Sequence, residues 1–410
     1  MKITPRRFSA LSAVPFAFVL FASACAMTDD DRSATTMTDD EIRRAANIRV
    51  CDNPADEVQC HARVLVDALG NIMTSVTPAG FSPATLRSFY GITSMGSTST
   101  TVATVVANGY PNALQDLQNY RSTFGLPAIV NCTPGGAHPC LAIINQSGAT
   151  SPLPAFNLGW AQEAALDLDM LSALCPNCNI LLVETSSSLF ADLGTGVNAA
   201  ASSTVTGAHP VAINNSYSGG ESGTTSFSAS YTHPGIAITA ASGDAGFFAG
   251  PQFPATSPGV IAVGGTTIHM GSTPRETVWG SAGSGCSTLY TKPSWQPNIG
   301  CSKRMVADVS AVADPNTGVA VFAPTSSTAS AFQVMGGTSA AAPVIAGIVG
   351  TTGSGIDPQT IYSRVAANKA LVFDVTSGST ASCSPSAFCT GVIGFDGPTG
   401  LGTPKGPGAF

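Results

Sequence analysis

Short unbroken aliphatic runs recur along the chain, each closed by small or turn-forming residues: ATVVA (103–107), NILLVET (179–185), PVAINNSYS (210–218), GIAITAAS (235–242) and GVIAVGG (259–265). Runs of this length without polar alternation predict strands of a parallel sheet buried on both faces. Between them, ALQDLQNYRSTF (113–124) and LGWAQEAALDLDMLSAL (158–174) carry helical spacing. The pattern predicts an α/β domain with a largely parallel central sheet and helices on both faces. In such folds reactive groups collect at the carboxyl ends of the strands.

The N-terminus breaks this pattern. Residues 1–25 have a basic head (Lys2, Arg6, Arg7), an apolar run and small residues before Cys25, the layout of a signal peptide. A membrane-spanning reading of the run is disfavoured by its Ser residues and Pro15. Residues 26–84 open as a polar, acidic stretch and read as a linker and short pro-segment, which leaves 85–410 as the main domain. Cys25, in FASAC, is either removed with the signal or retained as a lipid-bearing first residue.

Composition fits export. Only 10% of residues are charged, 44% are hydrophobic and the net charge is −7, so a basic nucleic-acid surface is excluded. Of the 11 cysteines, all but Cys25 fall into near-neighbour pairs, 51–60, 132–140, 175–178, 286–301 and 383–389, as expected of local disulfides in an oxidising compartment. CPNC (175–178) also has the spacing of a redox or zinc motif, but no second Cys or His pair lies near it in sequence.

Candidate chemistry centres on MGGTSAAAPVIAG (335–347). Ser339 follows two glycines and opens an apolar helix, where the unpaired N–H groups of a first turn favour developing negative charge. That is the setting of a nucleophile or of a helix cap. A nucleophile needs a base. Of the five histidines, His61, His138, His209, His233 and His269, the first precedes the α/β part and the next three sit in or beside Pro- and Gly-containing loops, none with the Gly-rich helix start that would aim an imidazole at a serine. Carboxylates are better placed. Glu163 and Asp167, four apart on an apolar helix, share one face, with Asp169 pointing elsewhere. Asp244 follows the strand run 235–242 in the turn SGDAG.

Taken together, GGTSAAAP around Ser339, ExxLDLD with Glu163 and Asp167, and SGD with Asp244 resemble the sedolisins, serine-carboxyl peptidases with a subtilisin-like fold. Further matching stretches are FPATSPGVIAVGGTTI, ETVWG, PSWQ, ADVSAVADPNTG and GFDGPTGLGTP, so the likeness runs from about residue 85 to the C-terminus. The resemblance implies an acid-active endopeptidase acting on proteins or peptides; the signal segment adds the expectation that it is secreted, and a monomer is expected. By the same resemblance Ser339 is the nucleophile, Glu163 the base and then acid, Asp167 its orienting partner and Asp244 a protonated donor to the oxyanion. The resemblance also implies substrate contacts at Ser216, Tyr217 and Ser218, and a structural Ca2+ held by Asp374, the Val375 carbonyl, the carbonyls of Val392 and Gly394, and Asp396.

The sequence departs from the family pattern in two places. The pro-segment is short, and Ser218 stands where the family has Gly. The alternative function is a catalytically inactive, or lipid-anchored, cell-surface protein that keeps the peptidase fold.

Overall fold

Valine, isoleucine and alanine dominate the sheet strands because both faces are covered. The computed structural model describes Met1 and residues 37–51 and 57–410; apart from Met1, the expected signal segment, Cys25 included, lies outside the described residues. An N-terminal unit comprises α1 (Asp39–Arg44), β1 (Ala46–Arg49), β2 (Gln59–Cys60) and β3 (Arg63–Val66). The main domain follows with β4 (Thr101–Ala107), β5 (Cys140–Asn145), α2 (Leu158–Leu174), β6 (Asn179–Thr185), α3 (Phe190–Ser202) and β7 (Pro210–Asn215). It continues with β8 (Tyr217–Gly220), β9 (Ala237–Ala241), β10 (Gln252–Phe253), β11 (Ile261–His269), β12 (Val309–Val312), β13 (Val319–Pro324), β14 (Ser330–Gly336) and α4 (Thr338–Thr352).

The central order is β11-β9-β7-β4-β6-β5, every neighbouring pair parallel, within a sheet of nine strands among the described residues. Side chains alternate across a strand. A Cβ on Gly350 of α4 would meet Val102, whereas one on Gly196 of α3 would meet Val105 and Val183. These valines point to opposite faces, so helices cover both. α4 is buried over most of its length and apolar all round, as a core helix must be.

The sequence reading of the sheet holds, with two differences. The run 210–218 is two strands: β7 leaves the sheet at Asn215 and the chain turns at Ser216 into β8. The strand β5 was not foreseen. All five local disulfides form, 51–60, 132–140, 175–178, 286–301 and 383–389. No helix among the described residues is long and apolar enough to cross a membrane.

The described part of the expected linker is folded onto the main domain. β3 lies antiparallel between β1 and β14, and β14 pairs with β13. Ile42, Leu65 and Val334 form a small buried cluster, and the Asn316 amide donates to the carbonyls of Ile42 and Ala45. Just before β3, β2 pairs antiparallel with β8 in the register Tyr217↔Cys60 and Ser218↔Gln59.

Candidate active site

The chain enters α4 through Gly336 and Gly337, which puts Ser339 in the first turn. Gly337 has φ +94°, and a Cβ there would lie 1.7 Å from the His61 carbonyl oxygen, so the approach requires glycine. α2 packs against α4. Its start is capped by Asn157, which accepts from the Trp160 N–H, and its spacing sets Glu163 and Asp167 one turn apart.

The Ser339 hydroxyl donates to Glu163 Oε2 at 2.9 Å and lies 3.0 Å from the Ser216 carbonyl oxygen. Asp167 accepts from the Ser216 hydroxyl at 2.6 Å and the Thr104 hydroxyl at 2.5 Å. With its oxygens so engaged, Asp167 acts on Glu163 through charge rather than by a direct hydrogen bond. Burial, reinforced by the Asp167 charge, holds Glu163 well above the usual carboxylate range. Burial also pushes Asp167 up, to about 7. The hydroxyls donating to Asp167 favour its ionised form, so Glu163 keeps its proton to the higher pH while the site is closed.

Asp244 stands on the other side of Ser339, beyond the end of β9. Its Oδ1 accepts from the N–H and the hydroxyl of Thr338, both at 2.8 Å, while Oδ2 is buried without a partner. Burial pushes its carboxyl up to about 6. The point occupied by a Cβ on Gly337 would be 1.7 Å from the His61 carbonyl oxygen and 2.7 Å from Asp244 Oδ2, so the two oxygens face a common space. A protonated Asp244 can donate into that space; an ionised one cannot.

The space is filled by the chain's own residues 59–64. The His61 N–H donates to the Ser216 carbonyl at 3.3 Å and to Ser339 Oγ at 3.0 Å. The Ala62 N–H donates to Glu163 Oε2 at 2.8 Å. Arg63 and Val64 continue antiparallel to Gly336 and Met335. Ser339, Glu163, Asp167 and His61 are all buried.

The structure thus brings together Ser339, Glu163, Asp167, Asp244, Ser216, Tyr217 and Ser218. Asp169 lies apart and accepts from the Phe322 N–H. Sequence reasoning missed Thr104, Gln252 and the occupant His61. The His61 ring is not a base for Ser339: its Nε2 lies 2.5 Å from the Ser218 hydroxyl, which donates to Gln252 Oε1. His138, His233 and His269 bond Asn179, the Ser230 carbonyl and Thr277 respectively.

The expected calcium ligands converge in part. Asp396 accepts from Val392 N–H and from Thr399, and Asp374 Oδ2 accepts from Gly394 N–H. Val392 and Gly394 thus meet the aspartates through N–H groups, where the expectation used their carbonyls. Asp374 Oδ1 is buried without a partner, and burial with the nearby Asp374 charge pushes Asp396 up to about 7. An orphan carboxylate oxygen beside a second buried carboxylate fits a hard cation.

The subtilase family model matches residues 156–377, a span that holds Glu163, Asp167, Asp244 and Ser339. Kumamolisin of Bacillus sp. (strain MN-32) is 34% identical over 200 residues, 42% of this chain and 35% of that protein. Sedolisin of Pseudomonas sp. (strain 101) is 31% identical over 180 residues, 39% of this chain and 28% of that protein. The matched stretch spans about a third of the length of these curated relatives. Among solved structures, a Pseudomonas sedolisin described as a serine-carboxyl proteinase, complexed with two molecules of pseudo-iodotyrostatin, superposes with a TM-score of 0.67 at 25% identity. It covers 80% of this chain and 96% of that one. A psychrophilic protease shares the fold at a TM-score of 0.50 and 17% identity, covering 80% of this chain and 98% of that one.

Proposed function

Because this chain belongs to the subtilase family, and to the sedolisins within it, we propose that it is an exported serine-carboxyl endopeptidase that cleaves proteins or peptides in acid solution. One observation carries the reading: a single oxygen, Glu163 Oε2, accepts from both the Ser339 hydroxyl and the peptide N–H of Ala62, with Asp244 Oδ2 turned toward the adjacent carbonyl oxygen.

That arrangement supports a complete acyl transfer. Ser339 Oγ attacks the carbonyl carbon while Glu163 takes its proton. The oxyanion receives a hydrogen bond from protonated Asp244. Glu163 then returns the proton to the leaving nitrogen, and water, activated by the same carboxylate, releases the acyl group. Burial, with Asp167 beside it, raises the proton affinity of Glu163, so the fraction of Glu163 that is ionised is a strong acceptor for the Ser339 proton. Ser216, Tyr217 and Ser218 would pair with the substrate backbone as β8 pairs with β2. A calcium ion at Asp374 and Asp396, with Val375, Val392 and Gly394 around it, would supply structural stability and no chemistry.

The test is turnover of a quenched fluorogenic peptide near pH 4. Ser339→Ala and Glu163→Gln should each lower the rate on the order of a thousandfold, because members of one catalytic unit fail together. Glu163→Gln that retains wild-type turnover would refute the reading.

A further inference from the structure

Residues 59–64 lie in the cleft as a substrate would. Gln59 and Cys60 pair antiparallel with Ser218 and Tyr217. The His61 N–H reaches the Ser216 carbonyl, and its carbonyl oxygen borders Gly337 and Asp244 Oδ2. The Ala62 nitrogen sits on Glu163, and Arg63 pairs with Gly336 on the far side of Ser339. The bond flanked by nucleophile, proton carrier and oxyanion donor is His61–Ala62. On the acyl side, the His61 ring enters a pocket between β8 and the turn after β9. There its Nε2 meets the Ser218 hydroxyl, which donates to Gln252 Oε1 on β10. A Cβ on Gly243, in that turn, would lie 2.8 Å from Gln252 Oε1 and 3.8 Å from Ser218 Oγ.

Resting on the serine-carboxyl reading above, we propose that His61–Ala62 is the bond the enzyme cuts in itself, and that Ser218 with Gln252 selects a neutral hydrogen-bond donor in the residue before the cut. Because the Ser218 hydroxyl spends its proton on Gln252, the oxygen is left as an acceptor, and the residue reaching it must donate. Histidine, glutamine or asparagine can do so; leucine or methionine would leave the buried Ser218 oxygen without a donor. In the cut, Ser339 Oγ bonds to the His61 carbonyl carbon and its proton passes to Glu163. The C–N bond to Ala62 breaks, the amine takes the proton from Glu163, and water hydrolyses the ester to free Ser339 and leave His61 as a carboxylate. Cys51 and Cys60 both precede the bond, so no disulfide spans it. The upstream segment can leave the acyl side of the cleft, while the new N-terminus at Ala62 begins on the other side.

The experiment has two arms. The full chain, purified at pH 8 and brought to pH 5, is followed by mass spectrometry beside Ser339→Ala. The expected result is one new N-terminus at Ala62 in the wild type and an intact Ser339→Ala chain. A wild type that hydrolyses peptides but cuts itself elsewhere, or not at all, overturns the self-cleavage site and leaves the function standing. Equal cutting of Ser339→Ala overturns both.

In the second arm, quenched peptides spanning the sequence of residues 58–63, with Ser for Cys60, carry Gln or the near-isosteric Met in place of His61. The wild type should favour Gln by on the order of tenfold in kcat/KM, and Ser218→Gly or Gln252→Leu should bring the ratio to within about twofold. Turnover of the Met peptide shows that each variant is folded. An unchanged ratio in both variants overturns the selectivity.

Discussion

At the level of single residues, the site separates two kinds of carboxylate. In the proposed mechanism Asp244 must hold a proton to serve the oxyanion, and burial raises it to about 6, so that contribution would be present below that pH and fade above it. An amide does not titrate there. Asp244→Asn should therefore retain part of the activity and hold it to higher pH, seen as an alkaline limb displaced upward by a unit or more; a limb unmoved by the substitution would remove Asp244 from that role. Of the histidines outside the cleft, His138, His233 and His269 have other partners. His138→Ala, His209→Ala, His233→Ala and His269→Ala should each keep kcat within about tenfold, because no proton transfer is assigned to them. Loss of activity in a folded member of that set would restore a histidine base.

The same scale tests the cation. If Asp374 and Asp396 hold calcium, a chelator should lower the unfolding temperature through loss of a ligand bound only to the folded state. Asp396→Ala should abolish that response. Identical melting with chelator and with excess calcium would exclude the ion.

Among the elements, the clearest sequence signal was α2, whose bounds match the apolar segment 158–174 to the residue. Its apolar spacing already placed Glu163 and Asp167 on one face. The sheet strands were legible for the same reason: each is an unbroken aliphatic run. β2 was not legible. It is two residues long, Gln59 and Cys60, and nothing in its composition says that it lies against Ser218 rather than in a linker; only tertiary pairing fixes it. Thr104 and Gln252 were equally hidden, since each reaches the site from a separate strand. The break at Ser216 escaped notice because β-type residues continue through it, while its cause is the use of the Ser216 hydroxyl by Asp167 and of its carbonyl by Ser339 and His61. The Gly336–Gly337 entry to α4 gives a prediction of its own. Gly337→Ala would place a methyl where the His61 carbonyl oxygen lies and force a non-glycine residue to φ +94°. It should lower kcat/KM by on the order of a hundredfold or more, since small misplacements at the reacting carbonyl are costly. Wild-type kinetics in that variant would mean that the carbonyl binds elsewhere.

For the molecule as a whole, buried acids set the direction of pH dependence. Burial holds Asp167, Glu184 and Glu276 up at about 7 and Asp244 at about 6. Each therefore binds its proton more tightly folded than unfolded. Their stabilisation is fully present below the unfolded carboxylate range near 4, and is lost as pH rises through 6 to 7. His61 works the other way: burial, with Arg49 and Arg63 near it, lowers it to about 3. Its contribution to the docked segment is present above about 6.5 and declines as pH falls toward 3. Four carboxylates outweigh one imidazole, so the melting temperature should fall by roughly 5 °C or more between pH 5 and pH 8. A melting temperature that is flat or rises over that interval would contradict the balance. The opposite sign of His61 means that acid loosens the occupant of the cleft while it strengthens the fold around it.

The most direct measurement of the central claim, that carboxylates rather than an imidazole run this serine, is the pH profile of kcat/KM for an unfolded protein or peptide substrate. The account predicts activity in acid solution that falls as pH rises through about 6, where Asp244 loses its proton. Activity confined to pH above 7 would contradict it.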